Sequence, residues 1–345
     1  MRRFSINFKE YIEQYRQKVY SKICEYVPLR EKEGNANRIM RDYIDRQGSY
    51  RRPGLVLLTG ELFGGKEEDL ILPAAAEQLS EDWILMQDDT EDDSELRRGK
   101  PAVQRIHGWV HAFNATNAGQ MAMWRMLKDY MKIYPEKGDR LYEKFYHMLD
   151  YTVEGQHVEN QFIHHTKDLS KADEALYYRI LDSKTCYNTV YGPMQLGAIA
   201  AGQTGETLEM LREIGKPAGI AFQIVDDILD MTADEKIFGK KNFGDLYEGK
   251  LTLMILKTYK DATPEEKAKI DVIYRKKRQD KTEEEIGFLK EMIGKYDGLG
   301  YAQQKAEFYG NKAKEALDGY KDRLPMNDLT PLVCSAMEEL YVRKK

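Results

Sequence analysis

Helical signals run along the whole chain, whereas alternating β-branched runs of strand length are scarce. The segment from Leu70 to Gln87 groups its apolar residues and holds no Gly or Pro after Pro73, which predicts one long helix. Thr263-Pro264-Glu265-Glu266 and Thr282-Glu283-Glu284-Glu285 are typical of helix N-termini. The pattern therefore predicts an all-α fold.

Clusters of Gly and Pro predict breaks between these helices, near residues 52–54, 64–65 and 202–205. No repeat of solenoid period and no low-complexity linker interrupts the chain. A length of 345 residues alone would suggest two domains, but helical folds of this size can be single. We expect one helical domain over residues 1–345.

Composition narrows the function classes. Hydrophobic residues make up 42% of the chain, enough for a substantial core, and the net charge of -5 argues against a nucleic-acid-binding protein. No run approaches the roughly 18 apolar residues of a membrane span, and no signal peptide is evident. The three cysteines are far apart and form no CxxC, so neither a zinc site nor a disulfide framework is indicated. These features predict a cytoplasmic protein.

An acidic stretch ends the long predicted helix. Asp88 and Asp92 lie one helical turn apart on the same face, with Asp89 beside them. Like charges at this spacing cost roughly 0.2–0.5 kcal/mol per pair, and a divalent cation reverses that sign. Hard ions such as Mg²⁺ take carboxylate oxygens and complete their coordination with water and substrate phosphates. A solvated acidic face is the competing interpretation.

A second stretch repeats the spacing with Asp226, Asp227 and Asp230. Apolar residues surround this copy, so a solvated face explains it poorly. Basic residues follow each triad, Arg97 and Arg98 after the first, and Lys240 and Lys250 after the second. The two triads together predict a site for a polyanion bridged by metal ions.

Residues 60–66 match the glycine and lysine spacing of a phosphate-binding P-loop. Glu67 follows, where a Ser or Thr would bind Mg²⁺, and the preceding sequence is helical. We expect a helix C-terminus and a turn here.

The order of these motifs resembles the trans-isoprenyl diphosphate synthases, also called polyprenyl synthetases. The resemblance covers residues 48–252: the first triad and Arg97-Arg98-Gly99, then Gln223 before the second triad, then Gly239-Lys240 and a segment ending in Lys250-Leu251-Thr252. The absence of an insertion between Asp88 and Asp89 looks most like the archaeal short-chain branch of geranylgeranyl and farnesyl diphosphate synthases.

This resemblance implies a helical bundle around a central cavity, in a cytoplasmic homodimer. The implied reaction joins an allylic diphosphate to isopentenyl diphosphate. The implied cofactor is Mg²⁺, bound as three ions, for which Mn²⁺ can substitute. The implied metal ligands are Asp88, Asp89, Asp92, Asp226, Asp227 and Asp230. The implied catalytic residues are Lys184, Thr185, Gln223 and Lys240, and the implied substrate-binding residues are Arg52, Arg97, Arg98, Gln156, Lys184, Lys240 and Lys250.

The chain departs from the family where isopentenyl diphosphate binds. Ser49 stands at the position of a family lysine, and Glu81 stands at that of a His or Gln. A carboxylate at Glu81 conflicts with holding a diphosphate, so Glu81 is protonated, pairs with Arg51 or Arg52, or the second substrate sits differently. These two departures favour an alternative function, a class I terpene synthase that acts on one allylic diphosphate. A non-catalytic partner subunit is a third possibility, against which two intact triads argue.

Product length depends, by the same resemblance, on residues just before the first triad. Helix geometry places Ile84 directly below Asp88, about 6 Å down the axis. The resemblance makes Trp83 a candidate floor of the product cavity. An ordinary core tryptophan is the competing interpretation.

Overall fold

The structure, a computed structural model, describes residues 6–29, 36–232 and 243–341. Helices dominate, which confirms the predicted all-α class. Among the described residues the only sheet is a short antiparallel hairpin of β1 (Leu96–Arg97) and β2 (Lys100–Pro101). It follows the first acidic motif directly and turns Arg97 back toward it.

The first half of the described chain holds seven α-helices: α1 (Phe8–Tyr26), α2 (Ala36–Asp45), α3 (Arg51–Leu62), α4 (Glu67–Glu91), α5 (Val103–His107), α6 (Trp109–Ile133) and α7 (Pro135–Asn160). A π-helical turn, Gln161–Thr166, and a 3₁₀ turn, Leu169–Lys171, extend α7.

The second half begins with α8 (Glu174–Ile180), which continues into a longer π-helical segment, Leu181–Tyr191. The remaining helices are α9 (Gly192–Ala200), α10 (Glu206–Thr232), α11 (Gly244–Glu248), α12 (Leu253–Asp261), α13 (Pro264–Tyr274), α14 (Glu283–Lys295), α15 (Gly298–Gly319) and α16 (Thr330–Tyr341). Two 3₁₀ turns, Arg278–Asp280 and Lys321–Arg323, lie between them.

Local sequence explains several boundaries. Thr263 and Thr282 each form a capping box with the Glu three residues later, as predicted. The break predicted near residues 52–54 is wrong, because α3 begins at Arg51 and runs through Pro53. Proline is tolerated in a first helical turn, where its missing N–H needs no partner. The P-loop-like stretch is a helix C-terminus and a turn: α3 ends at Leu62 and the chain reverses at Gly64, whose φ is +83°.

Two clusters of buried apolar side chains form the core. The first cluster includes side chains of α1, α2, α3, α4, α6, α7 and α9. The second includes side chains of the π-helical segment and of α12, α13, α14 and α15. Helix α10 contributes to both, with Ile214 and Ala218 in the first cluster and Ile220 and Ile224 in the second. A single domain over residues 1–345 stays a prediction.

No helix in the described ranges combines the length and the apolar character that crossing a membrane requires.

Candidate active site

A cavity of about 340 Å³ lies between α3, α4, the Leu181–Tyr191 π-helical segment and α10. Both acidic triads contribute to it. Its polar lining side chains are Ser49, Arg51, Arg52, Glu81, Asp88, Arg97, Glu159, Tyr177, Lys184, Thr185, Asn188, Thr189, Gln223, Asp226, Asp227, Asp230, Asp245, Lys250 and Thr252. The cavity therefore brings together residues separated by up to two hundred positions in sequence.

Asp88 is the carboxylate of the first triad that faces this cavity. It accepts hydrogen bonds from Lys184 Nζ at 2.9 Å and from Gln156 Nε2 at 3.1 Å. Burial alone would raise the pKa of Asp88, but the charges of Lys184 and Lys250 outweigh burial and hold it well below its usual range. Asp88 is thus ionised and held by cations from distant parts of the chain.

Asp92, four residues further on at the C-cap of α4, lies 3.0 Å from Lys250 Nζ. The same ammonium lies 2.9 Å from Glu248, which also pairs with Arg278. Burial raises the pKa of Asp92 to about 8 against the opposing charge of Lys250. Its Oδ1 is buried and has no hydrogen-bond partner in the described structure. One oxygen of Asp92 is therefore available to a cation.

Asp89 faces the other way. Arg97 holds both of its oxygens, with Nε at 2.7 Å and Nη2 at 2.5 Å, and the Tyr43 hydroxyl donates to it at 2.6 Å. Asp89 is fully buried and does not line the cavity. It stays a predicted metal ligand, but its oxygens would first have to leave Arg97 and Tyr43. In this geometry it fixes the β1–β2 hairpin against α4.

The second triad extends from α10. Asp227 accepts hydrogen bonds from the Tyr177 hydroxyl and from Gln223 Nε2, each at 2.8 Å. Burial raises the pKa of Asp227 to about 7, although both hydrogen bonds oppose the shift. Asp226 and Asp230 also line the cavity, and Asp230 accepts from the backbone N–H of Asp245 at 3.1 Å.

The π-helical segment places Lys184 and Thr185 in the cavity wall. Lys184 Nζ bridges Asp88 and Glu159, and these carboxylates raise its pKa although burial alone would lower it. Thr185 donates to Gln223 at 3.2 Å. The segment can pack closely on α7 because Gly155 has no side chain: a Cβ there would lie 2.8 Å from the Lys184 backbone nitrogen.

The side chains predicted to bind the second diphosphate are each paired with a carboxylate of α4. Arg52 lies 2.9 Å from Glu81, and its guanidinium also donates to the Asn188 carbonyl at 3.1 Å and to Thr189 Oγ1 at 2.8 Å. Of the three possibilities for Glu81, the structure contains the ion pair with Arg52. Ser49 lines the cavity beside Arg51 and Arg52.

Arg98 lies 3.0 Å from Asp82 and donates to the Tyr43 carbonyl at 2.8 Å. Its guanidinium occupies the space that a side chain at Gly48 would need. Arg98 does not line the central cavity in this structure. A diphosphate could reach it only if the Asp82 pair opened.

Trp83 and Ile84 line a separate cavity of about 190 Å³ between α4 and α7, which Leu149 also lines. Ile84 lies on both cavities, and Trp83 is almost fully buried in the first core cluster. Asp88, on the same helix, also lines both cavities, and a role of Ile84 in product length stays a prediction. The two interpretations of Trp83 stay open, because its side chain is at once core and cavity wall.

Sequence analysis missed several residues that complete the site. Glu159 follows Gln156 by three positions, so one face of α7 carries both, and that spacing is a signal the sequence offered. Tyr43 and Tyr177, which hold Asp89 and Asp227, come from remote helices and left no local signal. Lys240, predicted for catalysis and substrate binding, lies outside the described residues.

The donor set fits a hard divalent cation whose coordination is completed by phosphates of the substrate. All candidate ligands are carboxylates, and Asp92 keeps a buried oxygen without a partner. In the described part of the chain no three His, Cys, Asp or Glu side chains converge as a ready-made metal cage. Mg²⁺ characteristically binds through one or two carboxylates together with water and substrate phosphates, so carboxylates that do not converge into a complete cage still suit it.

Comparison with known proteins gives a consistent result. The sequence model of the polyprenyl synthetase family matches residues 34–292. The geranylgeranyl diphosphate synthase of Sulfolobus acidocaldarius is 30% identical over 299 residues, covering 86% of this chain and 87% of the relative.

Solved structures share the fold. Geranylgeranyl pyrophosphate synthetase from Pyrococcus horikoshii has a TM-score of 0.81 and 28% identity, covering 98% of this chain and 99% of its own. Geranylgeranyl pyrophosphate synthase from Corynebacterium glutamicum, complexed with isoprenyl diphosphate and magnesium, has a TM-score of 0.83 and 21% identity, covering 96% and 99%. The second likeness concerns the fold alone.

Proposed function

The chain belongs to the polyprenyl synthetase family, and from that premise we propose that it condenses an allylic diphosphate with isopentenyl diphosphate and releases inorganic diphosphate. The proposed product is a short-chain prenyl diphosphate, geranylgeranyl (C20) or farnesyl (C15). One observation carries the proposal: Asp88 of the first triad and all three aspartates of the second line one cavity, together with Lys184 and Lys250.

The proposed cofactor is Mg²⁺, held by Asp88 and Asp92 on one side and by Asp226, Asp227 and Asp230 on the other. When bound, the metal neutralises negative charge that develops on the leaving diphosphate. The number of ions and the use of Mn²⁺ belong to the same proposal.

The chain's own cations and dipoles then have distinct roles. Lys184 and Lys250 lie between carboxylates, and both can turn to an arriving diphosphate, with Arg97 at its edge. Placing these charges around the leaving group stabilises the charge that develops as the C–O bond breaks. Thr185 and Gln223 share the cavity wall and turn their dipoles toward the allylic cation. Gln156 orients Asp88, to which it donates.

The second diphosphate is proposed to bind at Arg52 and Arg98, beside Ser49. Both arginines exchange a carboxylate partner, Glu81 or Asp82, for phosphate oxygens. Bidentate, charge-assisted bonds from arginine are strong enough to hold a diphosphate without a lysine at position 49.

The lyase alternative is not favoured, because the relatives named above are diphosphate synthases. Incubation of the purified protein with Mg²⁺, labelled isopentenyl diphosphate and each allylic starter tests the proposal. We expect the label in a longer prenyl diphosphate. A hydrocarbon or alcohol formed from the allylic substrate alone, with no label incorporated, would replace the proposal with the lyase.

We also propose that the chain works as a cytoplasmic homodimer. The described residues leave large apolar side chains exposed on α5, α6 and α7: Ile106, Trp109, Val110, Met121, Ile133, Tyr146, Tyr151 and Val153. The concentration of exposed apolar side chains on three consecutive helices supports an interaction surface there.

A further inference from the structure

Helix α4 carries an unusual group of buried carboxylates ahead of the first triad: Glu77, Glu81 and Asp82. Glu81 is paired with Arg52 and Asp82 with Arg98. Glu77 is 0% exposed, and neither of its carboxylate oxygens has a hydrogen-bond partner in the described structure. An unpaired buried charge is costly, so such a group needs an explanation.

The surroundings of Glu77 point to Arg52. Glu77 lies one helical turn before Glu81, so both side chains leave the same face of α4. The charged groups that act on Glu77 are Arg52 from α3 and Glu81 from its own helix. From the π-helical segment, the Asn188 carbonyl and the Thr189 hydroxyl, both uncharged, accept hydrogen bonds from Arg52. Asp82 is already balanced by Arg98.

Burial, opposed by Arg52 and reinforced by Glu81, raises the pKa of Glu77 to about 8. Below that pH the group is neutral, and Arg52 faces one carboxylate. Above it a second carboxylate on the same face of α4 adds a full negative charge near the Arg52–Glu81 pair.

We propose that Glu77 is a positioning residue of the second-substrate pocket, whose protonation leaves Arg52 available to the diphosphate of isopentenyl diphosphate. The proposal rests on the proposed function. Glu77 acts through Arg52 and does not line the cavity. A bound diphosphate disfavours the ionised form of Glu77 further, so binding near pH 8 takes up a proton.

The test follows the KM of each substrate between pH 6.5 and 9.5. For the wild type we expect the KM for isopentenyl diphosphate to rise about tenfold across pH 8, the order of effect of one unit charge at roughly 12 Å in an effective dielectric of about 20. The allylic KM controls for ionisation of the diphosphate group that both substrates carry and of the aspartates of the triads, and its pH profile should be the same in wild type and Glu77→Gln. Glu77→Gln should abolish the rise, since Gln mimics the neutral form, whereas Glu77→Asp should retain one.

Calorimetry of the wild type gives a second, variant-free measurement. Isopentenyl diphosphate is titrated at pH 8 and pH 6.5 in two buffers of different ionisation enthalpy. We expect net proton uptake at pH 8 that exceeds the value at pH 6.5. Equal proton numbers at both pH values would overturn the proposal. So would the same pH profile of the KM for isopentenyl diphosphate in wild type and Glu77→Gln.

The outcomes separate this inference from the proposed function. If the wild type incorporates isopentenyl diphosphate with a pH-independent KM, the proposed role of Glu77 is refuted and the proposed condensation reaction is unaffected. If the wild type incorporates no isopentenyl diphosphate at any pH, the proposed function itself is refuted.

Discussion

Around the central cavity, cationic side chains are balanced by buried carboxylates from other parts of the chain. Lys184 is paired with Asp88, Lys250 with Asp92, Arg97 with Asp89 and Arg52 with Glu81. Removing one partner of a buried pair leaves an uncompensated charge, which typically costs about 3–5 kcal/mol. The effect of each substitution therefore depends on whether the remaining partner has another neighbour.

Asp88→Ala and Asp227→Ala should lower turnover by orders of magnitude and leave the fold intact. Lys184 keeps Glu159 when Asp88 is removed, so no cation is stranded. EDTA should abolish wild-type activity. The measurements are steady-state turnover and thermal melting. Full activity in metal-free buffer, from wild type or either variant, would contradict the assignment of the triads.

Asp89→Ala should behave differently from its neighbour. Arg97 would lose both hydrogen bonds to the carboxylate, and Tyr43 would lose its acceptor, so we expect the free energy of unfolding to fall by about 3–5 kcal/mol. Asp93→Asn, which removes the half-exposed charge partner of Arg105 and keeps a side chain that tolerates the left-handed backbone there (φ +52°), is the control and should cost at most about 1 kcal/mol. Denaturant titration decides this. Equal stabilities of the two variants would argue that Asp89 has no structural role.

At the scale of elements, α4 organises the site. Its middle packs in the core and carries the buried acids, and its C-terminal end carries the first triad, with Asp92 as the C-cap. The helix lines both cavities. It carries Asp88 of the metal site, Glu81 of the second-substrate site and the residues Trp83 and Ile84 before Asp88. Substitutions along this one helix should therefore separate product length, stability and turnover.

Trp83→Ala should lengthen the product by one or more five-carbon units, because it enlarges the cavity between α4 and α7. Product chain length by chromatography is the readout, with Leu149→Ala on the opposite wall as the comparison. A folded Trp83→Ala enzyme with unchanged product length would support the core interpretation.

Glu77→Gln should stabilise the protein increasingly as pH rises. An unfolded Glu titrates near ~4.3, whereas burial raises the pKa of Glu77 in the folded state to about 8. Between these values the folded state binds more protons, so its stability falls with rising pH, and a neutral Gln escapes that loss. The melting temperature should match wild type near pH 4 and exceed it by several degrees at pH 8.5. The exposed Glu68→Gln on the same helix should show no such trend.

At the scale of the whole molecule, exposed apolar side chains on α5 to α7 predict self-association. Val110 is 57% and Met121 60% exposed, and eleven residues, about three turns, place them on one face of α6. Val110→Glu with Met121→Glu should convert a dimer into a monomer in sedimentation velocity experiments. Val272→Glu, equally exposed on α13, should not. A monomeric wild type at micromolar concentration would refute the homodimer.

The sequence by itself determined the features that short spacing encodes. Helix periodicity and capping residues predicted the all-α class, the long α4 and the N-termini at Thr263 and Thr282, because these depend on neighbours within one turn. The paired triads and the residues between them pointed to the family. Glu81 was recognised as out of place because the resemblance puts a diphosphate-binding His or Gln at its position, where a carboxylate conflicts with an anionic substrate.

Only the tertiary structure decided what each charged side chain faces. Asp88 and Asp89 are adjacent in sequence, yet one lines the cavity and the other is enclosed by Arg97 and Tyr43, because successive helical residues point about 100° apart. Arg52 was resolved as the partner of Glu81, and Glu77 became visible only as a buried group without a hydrogen bond. Such pairings join α3, α4 and the π-helical segment across long sequence separations, and no local pattern records which helices will pack together.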